Sequence, residues 1–160
     1  MANVEERWVV VADGAHARFL AAGRRADAPA PGALRLVEQS RLDNPEHTVQ
    51  GRRDARKIRS GRDTGHGGLA PHGYTDHRNG HEAEVLRRFA EEIAQHLAGL
   101  RAGHGMASIA LVAEPRMLGL LRTAIAPVAK SGVEVRELAR DYTWCSAIQL
   151  EHRLAANVVL

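Results

Sequence analysis

Cysteine is almost absent. Cys145 is the single one in 160 residues, so no disulfide can brace the chain from within and no cysteine-rich metal cluster can form. Aromatics are scarce too, with two each of Trp, Tyr and Phe. Apolar runs reach only a handful of residues, too short to cross a bilayer, so no membrane partner is expected. The opening "MANVEERWVVV" places two acids ahead of its apolar run. That is not the pattern of a secretory signal, and a cytoplasmic location is the expectation. What is present is ordinary globular composition, 44% hydrophobic and 26% charged, in a length that suits one domain over 1–160 with one core.

Charge is present but unevenly placed. The net charge is +3, yet Gln50 to Arg62, "QGRRDARKIRSGR", carries six Arg or Lys against one Asp. The rest of the chain therefore sums to a slightly negative value. A basic segment on a mildly acidic body attracts phosphate or another anion. A solvated charged loop is the plainer alternative.

Patterning divides the chain into an ordered frame and one long interruption. "RWVVVADGAHARFLAAG" holds two short apolar runs around Asp13-Gly14, which predicts a hairpin with strands near Arg7 to Ala12 and Ala17 to Ala22. "ALRLVEQSRL" alternates imperfectly as a third strand. Asp43 to Thr75 then shows no apolar period, and a loop of that length within a domain is usually functional or disordered. It carries the basic run and the Gly/His stretch "GHGGLAPHGYTDHRNGHE". Beyond it, Val85, Leu86, Phe89, Ile93, Leu97 and Leu100 recur at helical spacing. Asn79 and Glu82 fit a capping box, with an earlier start near Asp76 the alternative. "MASIALVAEP" predicts a buried strand from Met106 to Ala113, and Pro115 opens a helix running to Lys130. "VEVREL" predicts a fifth strand, and "TWCSAIQLEHRLAANV" a closing helix whose apolar positions are Ile148, Leu150 and Leu154.

The resulting order is β-β-β-α-β-α-β-α. That is an α/β fold with a mixed sheet and helices packed on its faces, in the element order of ribonuclease-H-like folds. Three motifs, "VVVADGAHARFL", a Gly-rich loop leading into the long helix and "IALVAEPRMLGLLR", stand in an order that resembles the bacterial host-attachment protein family, proteins required for attachment to host cells. More distantly they resemble the middle domain of archaeo-eukaryotic peptide-chain release factors and their ribosome-rescue relatives. The likeness spans Trp8 to Leu154. In release factors the loop before the long helix carries Gly-Gly-Gln, whose glutamine orders the hydrolytic water. This chain has Gly65-His66-Gly67-Gly68-Leu69 at the matching place. Leu69 can hold no water, so the resemblance implies engagement of the ribosome or of RNA without release chemistry.

Several constellations compete for the chemistry. Arg52, Arg53, Arg56, Lys57, Arg59 and Arg62 can each neutralise a phosphate, giving salt-sensitive affinity without sequence preference. Tyr74 is the loop's one aromatic, so structured RNA read by backbone and shape suits the segment better than stacked single strands. A metal reading rests on His66, His72, His77 and His81, the last two sharing a face if the helix begins early; no cysteine lies nearby and the spacing matches no zinc pattern. A two-metal nuclease would draw on Asp13 and Glu114, with Glu82 or Glu84 as the third acid. The plainer readings are a turn aspartate and an acid at a helix N-terminus. "GRDTGHGG" lacks the Lys-Ser/Thr of a phosphate-binding loop. Cys145 would be nucleophilic only at a helix N-terminus, and is otherwise a small packed hydrophobe.

The sequence thus favours a non-catalytic module that engages ribosomal or transfer RNA, or the ribosome itself, needing no cofactor. The alternatives are a metal-dependent hydrolase or nuclease, and an adhesion-linked protein binding an anionic partner. An edge strand leaves a homo-oligomer open.

Overall fold

The computed structural model describes residues 7–24, 33–47 and 72–157, with side chains from residue 78 onward in the last stretch. The chain runs through β1 (Arg7–Ala12), β2 (His16–Arg24), β3 (Leu34–Asp43), α1 (His72–His104), β4 (Ser108–Ala113), α2 (Pro115–Ala124), α3 (Ala126–Lys130), β5 (Glu134–Ala139) and α4 (Ala147–Ala156). The strands form one sheet in the order β3-β2-β1-β4-β5. β1–β2 and β2–β3 are antiparallel, while β1–β4 and β4–β5 are parallel. This is the expected mixed α/β sheet.

Its centre explains the Val- and Ala-rich strands. β1 and β4 lie inside the sheet with helices over both faces, so almost every residue of "RWVVVA" and "SIALVA" is buried. Trp8, Val10, Ile109 and Leu111 join Phe89, Ile93, Leu97, Met117 and Leu121 of α1 and α2 in one core. Val9, Val11, Ala110 and Val112 face the other way, toward Leu150 and Leu154 of α4.

β3 alternates imperfectly because the β2–β3 register slips. Phe19 pairs Ser40 whereas Leu20 pairs Glu38, leaving Gln39 as the extra residue of a bulge. One inserted residue exchanges the faces of all that follow. Leu34 and Leu36 therefore pack in the α4-side core, while Leu42, still an even position, packs in the α1-side core.

Four expected boundaries shift. α1 begins at His72, so Asn79 lies inside the helix and does not cap it, and positions 72–75 of the anticipated loop are helical. The strand expected from Met106 starts at Ser108. The helix expected to run unbroken to Lys130 is interrupted at Ile125. Pro127 supplies the reason, since it has no N–H to bond Thr123 and its ring crowds that carbonyl. The closing helix begins only at Ala147, where Ser146 and Gln149 form a reciprocal capping box. Ile148, expected on its apolar face, is exposed.

Candidate functional site

The C-terminal ends of β1 and β4 define one edge of the sheet. Ala12 and Ala113 are register partners, so Asp13 and Glu114 leave the sheet side by side. The two acids a nuclease would need do share this edge, but both carboxylates are engaged locally. Asp13 Oδ1 accepts from the amides of Ala15 (2.7 Å) and His16 (2.6 Å), fixing the turn. Its Oδ2 faces the Thr143 hydroxyl at 2.9 Å. Glu114 is the N-cap of α2 and accepts from the amides of Arg116 (3.1 Å) and Met117 (2.8 Å).

The third acids are engaged as well. Glu82 meets Arg116 at 3.3 Å. Glu84 takes hydrogen bonds from Arg87 and Arg88, which hold its carboxyl down at about 2. Among the described residues no three His, Cys, Asp or Glu side chains converge as a metal site. His81 is exposed on α1. The side chains of His72 and His77 lie outside the described residues, as do Tyr74, His66 and the rest of the Gly65–Leu69 tip. Cys145 is buried in the α4-side core, immediately before the cap residue Ser146.

The basic segment, Arg52, Arg53, Arg56, Lys57, Arg59 and Arg62, also lies outside the described residues. Its approach does not. After β3 the Asn44 amide donates to Ala15 O (2.8 Å) and its Nδ2 to Gly14 O (3.0 Å), pinning the chain to the β1–β2 turn. His47, the last described residue there, lies against Gly14. A β-carbon on Gly14 would come within 3.0 Å of His47 Nε2 and 2.8 Å of Leu86 Cδ2. Gly14 is not one of the described glycines with a left-handed φ, which are Gly105 and Gly132. What it supplies is room for turn, helix and segment base to close on each other.

On the far side, α1 leads from the segment toward the body with its described first turn solvent-facing. Residues 78–81 are all exposed. From Glu82, tied to Arg116, to His72 is ten residues, about 15 Å of helix.

A second strip of chain crosses the same edge. Residues 140–146 run from β5 to α4, and Thr143 meets Asp13 within it. Arg18 of β2, only 6% exposed, holds this strip down. Its Nη1 donates to Thr143 O (3.2 Å) and Cys145 O (2.5 Å), and its Nε donates to Glu38 at 2.9 Å. Nothing in the alternating pattern of β2 marks Arg18 as buried, and sequence reasoning missed it. It missed Trp144 also, which is 64% exposed.

The profile of the family described as "Protein required for attachment to host cells" matches residues 8–154. The chain belongs to this family. No curated protein matches the sequence. The matched span runs from β1 into α4 and includes both segment bases and the 140–146 strip. Among the described residues no helix is long and apolar enough to cross a membrane.

Proposed function

We propose that this host-attachment family protein is a non-catalytic binding module that holds ribosomal or transfer RNA, or the ribosome, through Arg52, Arg53, Arg56, Lys57, Arg59 and Arg62. The observation that carries this reading is the division of charge. On the body, Arg18 and Arg41 pair with Glu38, Arg87 and Arg88 with Glu84, Arg116 with Glu82, Arg122 with Glu137 and Arg136 with Glu134. Between Gln50 and Arg62 six cations face a single acid. Six cations against one acid within thirteen residues exceed what the segment can neutralise from its own acids, and such an excess releases counterions on meeting a phosphate backbone.

Two further features support it. The segment is rooted at a packed turn on one side and leads on the other into α1, whose residues 78–81 are exposed, which suits reach toward a large partner. The distant likeness to release factors points the same way, and Leu69 in place of glutamine limits the role to binding. The nuclease alternative loses its support because Asp13, Glu82, Glu84 and Glu114 are all engaged by amides or arginines.

Sedimentation of a native lysate through sucrose at low and moderate salt, followed by immunoblot, tests the reading. Co-migration with ribosomal particles that is lost as salt rises is expected. A protein that stays at the top of the gradient at both salts contradicts a ribosomal partner.

A further inference from the structure

Trp144 and its surroundings are unexplained by the fold. A tryptophan 64% exposed gives up little water by being where it is. Yet the ring is held in place. Its Nε1–H donates to Asp141 O at 3.0 Å. The Arg153 guanidinium carbon lies 5.0 Å from its centroid and 5.1 Å from that of Tyr142, so one arginine is stacked against two rings. The strip beneath is fastened by Arg18 and by the Ser146–Gln149 capping box. With one face under Arg153, the rest of the indole stands open to solvent.

Two arginines flank the ring, while the carboxylate of Asp141 turns to the amide and hydroxyl of Thr143 and that of Glu151 to the Leu36 amide. Arg153 forms no ion pair with a described carboxylate, and Arg140, four residues before Trp144, bonds only the carbonyl of Ala139 at 3.1 Å. Both therefore remain available to a phosphate. Thr143, next to Trp144, touches Asp13, and Asp13 belongs to the same turn that holds Asn44 and His47 at the segment base. The exposed indole and the root of the basic segment thus share one edge of the sheet.

We propose that Trp144, backed by Arg153, is a stacking platform for one unpaired base of a bound RNA, with Arg140 and Arg153 on its flanking phosphates. This rests on the RNA reading above and names the kind of RNA: a folded one that presents an unpaired nucleotide beside a helix. Bases stack on aromatic rings and on arginine planes alike, and a fixed ring loses little freedom on binding. A protein partner or a second copy would use the neighbouring Ile148, also exposed, and would have no need of the two free arginines.

The two tryptophans make the test direct, since Trp8 is 2% exposed and Trp144 is the one that solution reaches. End-labelled RNA, as a hairpin with an unpaired loop and as a blunt duplex of the same stem, is titrated with wild type, Trp144→Phe and Trp144→Ala. Anisotropy reports binding and indole emission reports contact. Expected are quenching by the hairpin over the concentrations at which anisotropy rises, and hairpin binding about 5- to 150-fold weaker in Trp144→Ala. Trp144→Phe should retain most of the affinity, and duplex binding should be alike in all three. Hairpin binding with unchanged emission, and equal affinity in Trp144→Ala, overturns the platform and leaves the basic segment standing. No anisotropy change with wild type overturns both. Emission that shifts with protein concentration alone, together with self-association lost in Trp144→Ala, overturns the platform in favour of a dimer contact.

Discussion

Arg18→Met removes the charge at the centre of the edge while keeping an unbranched apolar stem. The guanidinium is buried, lies 2.8 Å from Glu38 and serves two backbone carbonyls. Without it Thr143 O and Cys145 O lose their donor, and Glu38 keeps only Arg41. Breaking a buried pair costs about 3–5 kcal/mol. Glu38 retains 28% side-chain exposure, so water recovers part of its loss. The lower end applies, about 3 kcal/mol, which in a domain of this size lowers Tm by about 6–12 °C. Urea unfolding of Arg18→Met, Glu38→Gln and the double variant measures it. The two changes should couple by about 1–2 kcal/mol, the double variant being less destabilised than the sum. A loss below about 1 kcal/mol for Arg18→Met, or strict additivity, refutes the claim that this pair fastens the 140–146 strip to the sheet.

Gly14→Ala should destabilise by about 1–3 kcal/mol through overpacking against Leu86 and His47. Gly23→Ala, whose new methyl meets nothing within 4 Å, should stay within about 0.5 kcal/mol of wild type in the same denaturation assay. Acid should weaken the fold by a traceable route. Partial burial pushes the Glu38 carboxyl up, but hydrogen bonds from Arg18 and Arg41 outweigh it and leave it below its usual 4.5. Glu137 is lowered first by hydrogen bonds from Arg122. Carboxyls lowered in the folded state stabilise fully above their unfolded value, and that stabilisation is lost as pH falls through the folded one. Comparing unfolding at about pH 6 and about pH 3.5, the Glu38→Gln/Glu137→Gln variant should lose less stability than wild type over that range.

The frame was legible because its signals are periodic and local. Val9 to Val11 in the hairpin, the α1 stripe from Val85 to Leu97 and Pro115 at the head of α2 each report their own surroundings. The breaks were not legible. A bulge at Gln39 depends on where β2 pairs, and the start of α1 at His72 lies in a Gly- and His-rich stretch with no apolar stripe. Pro127 did carry a signal for the interruption at Ile125, outweighed by the continuous apolar spacing around it. At the edge, Asp13 and Glu114 were readable as turn and cap residues from their neighbours. Their side-by-side placement needed the parallel pairing of β1 and β4. Arg18 and Trp144 invert the usual rule, a buried charge and an exposed indole, and only the packing of the 140–146 strip reveals them.

The central claim is that the six cations between Arg52 and Arg62 hold RNA. Its most direct test is the salt dependence of anisotropy with labelled transfer RNA, for wild type and for the variant with Arg52, Arg53, Arg56 and Lys57 changed to Ala. Each lost phosphate contact should lower the slope of log affinity against log salt by about 0.7–0.9, so four should lower it by about 3 and leave little binding at physiological salt. Far-UV circular dichroism and Tm should match wild type. A variant that binds with the same affinity and slope as the wild type contradicts the account.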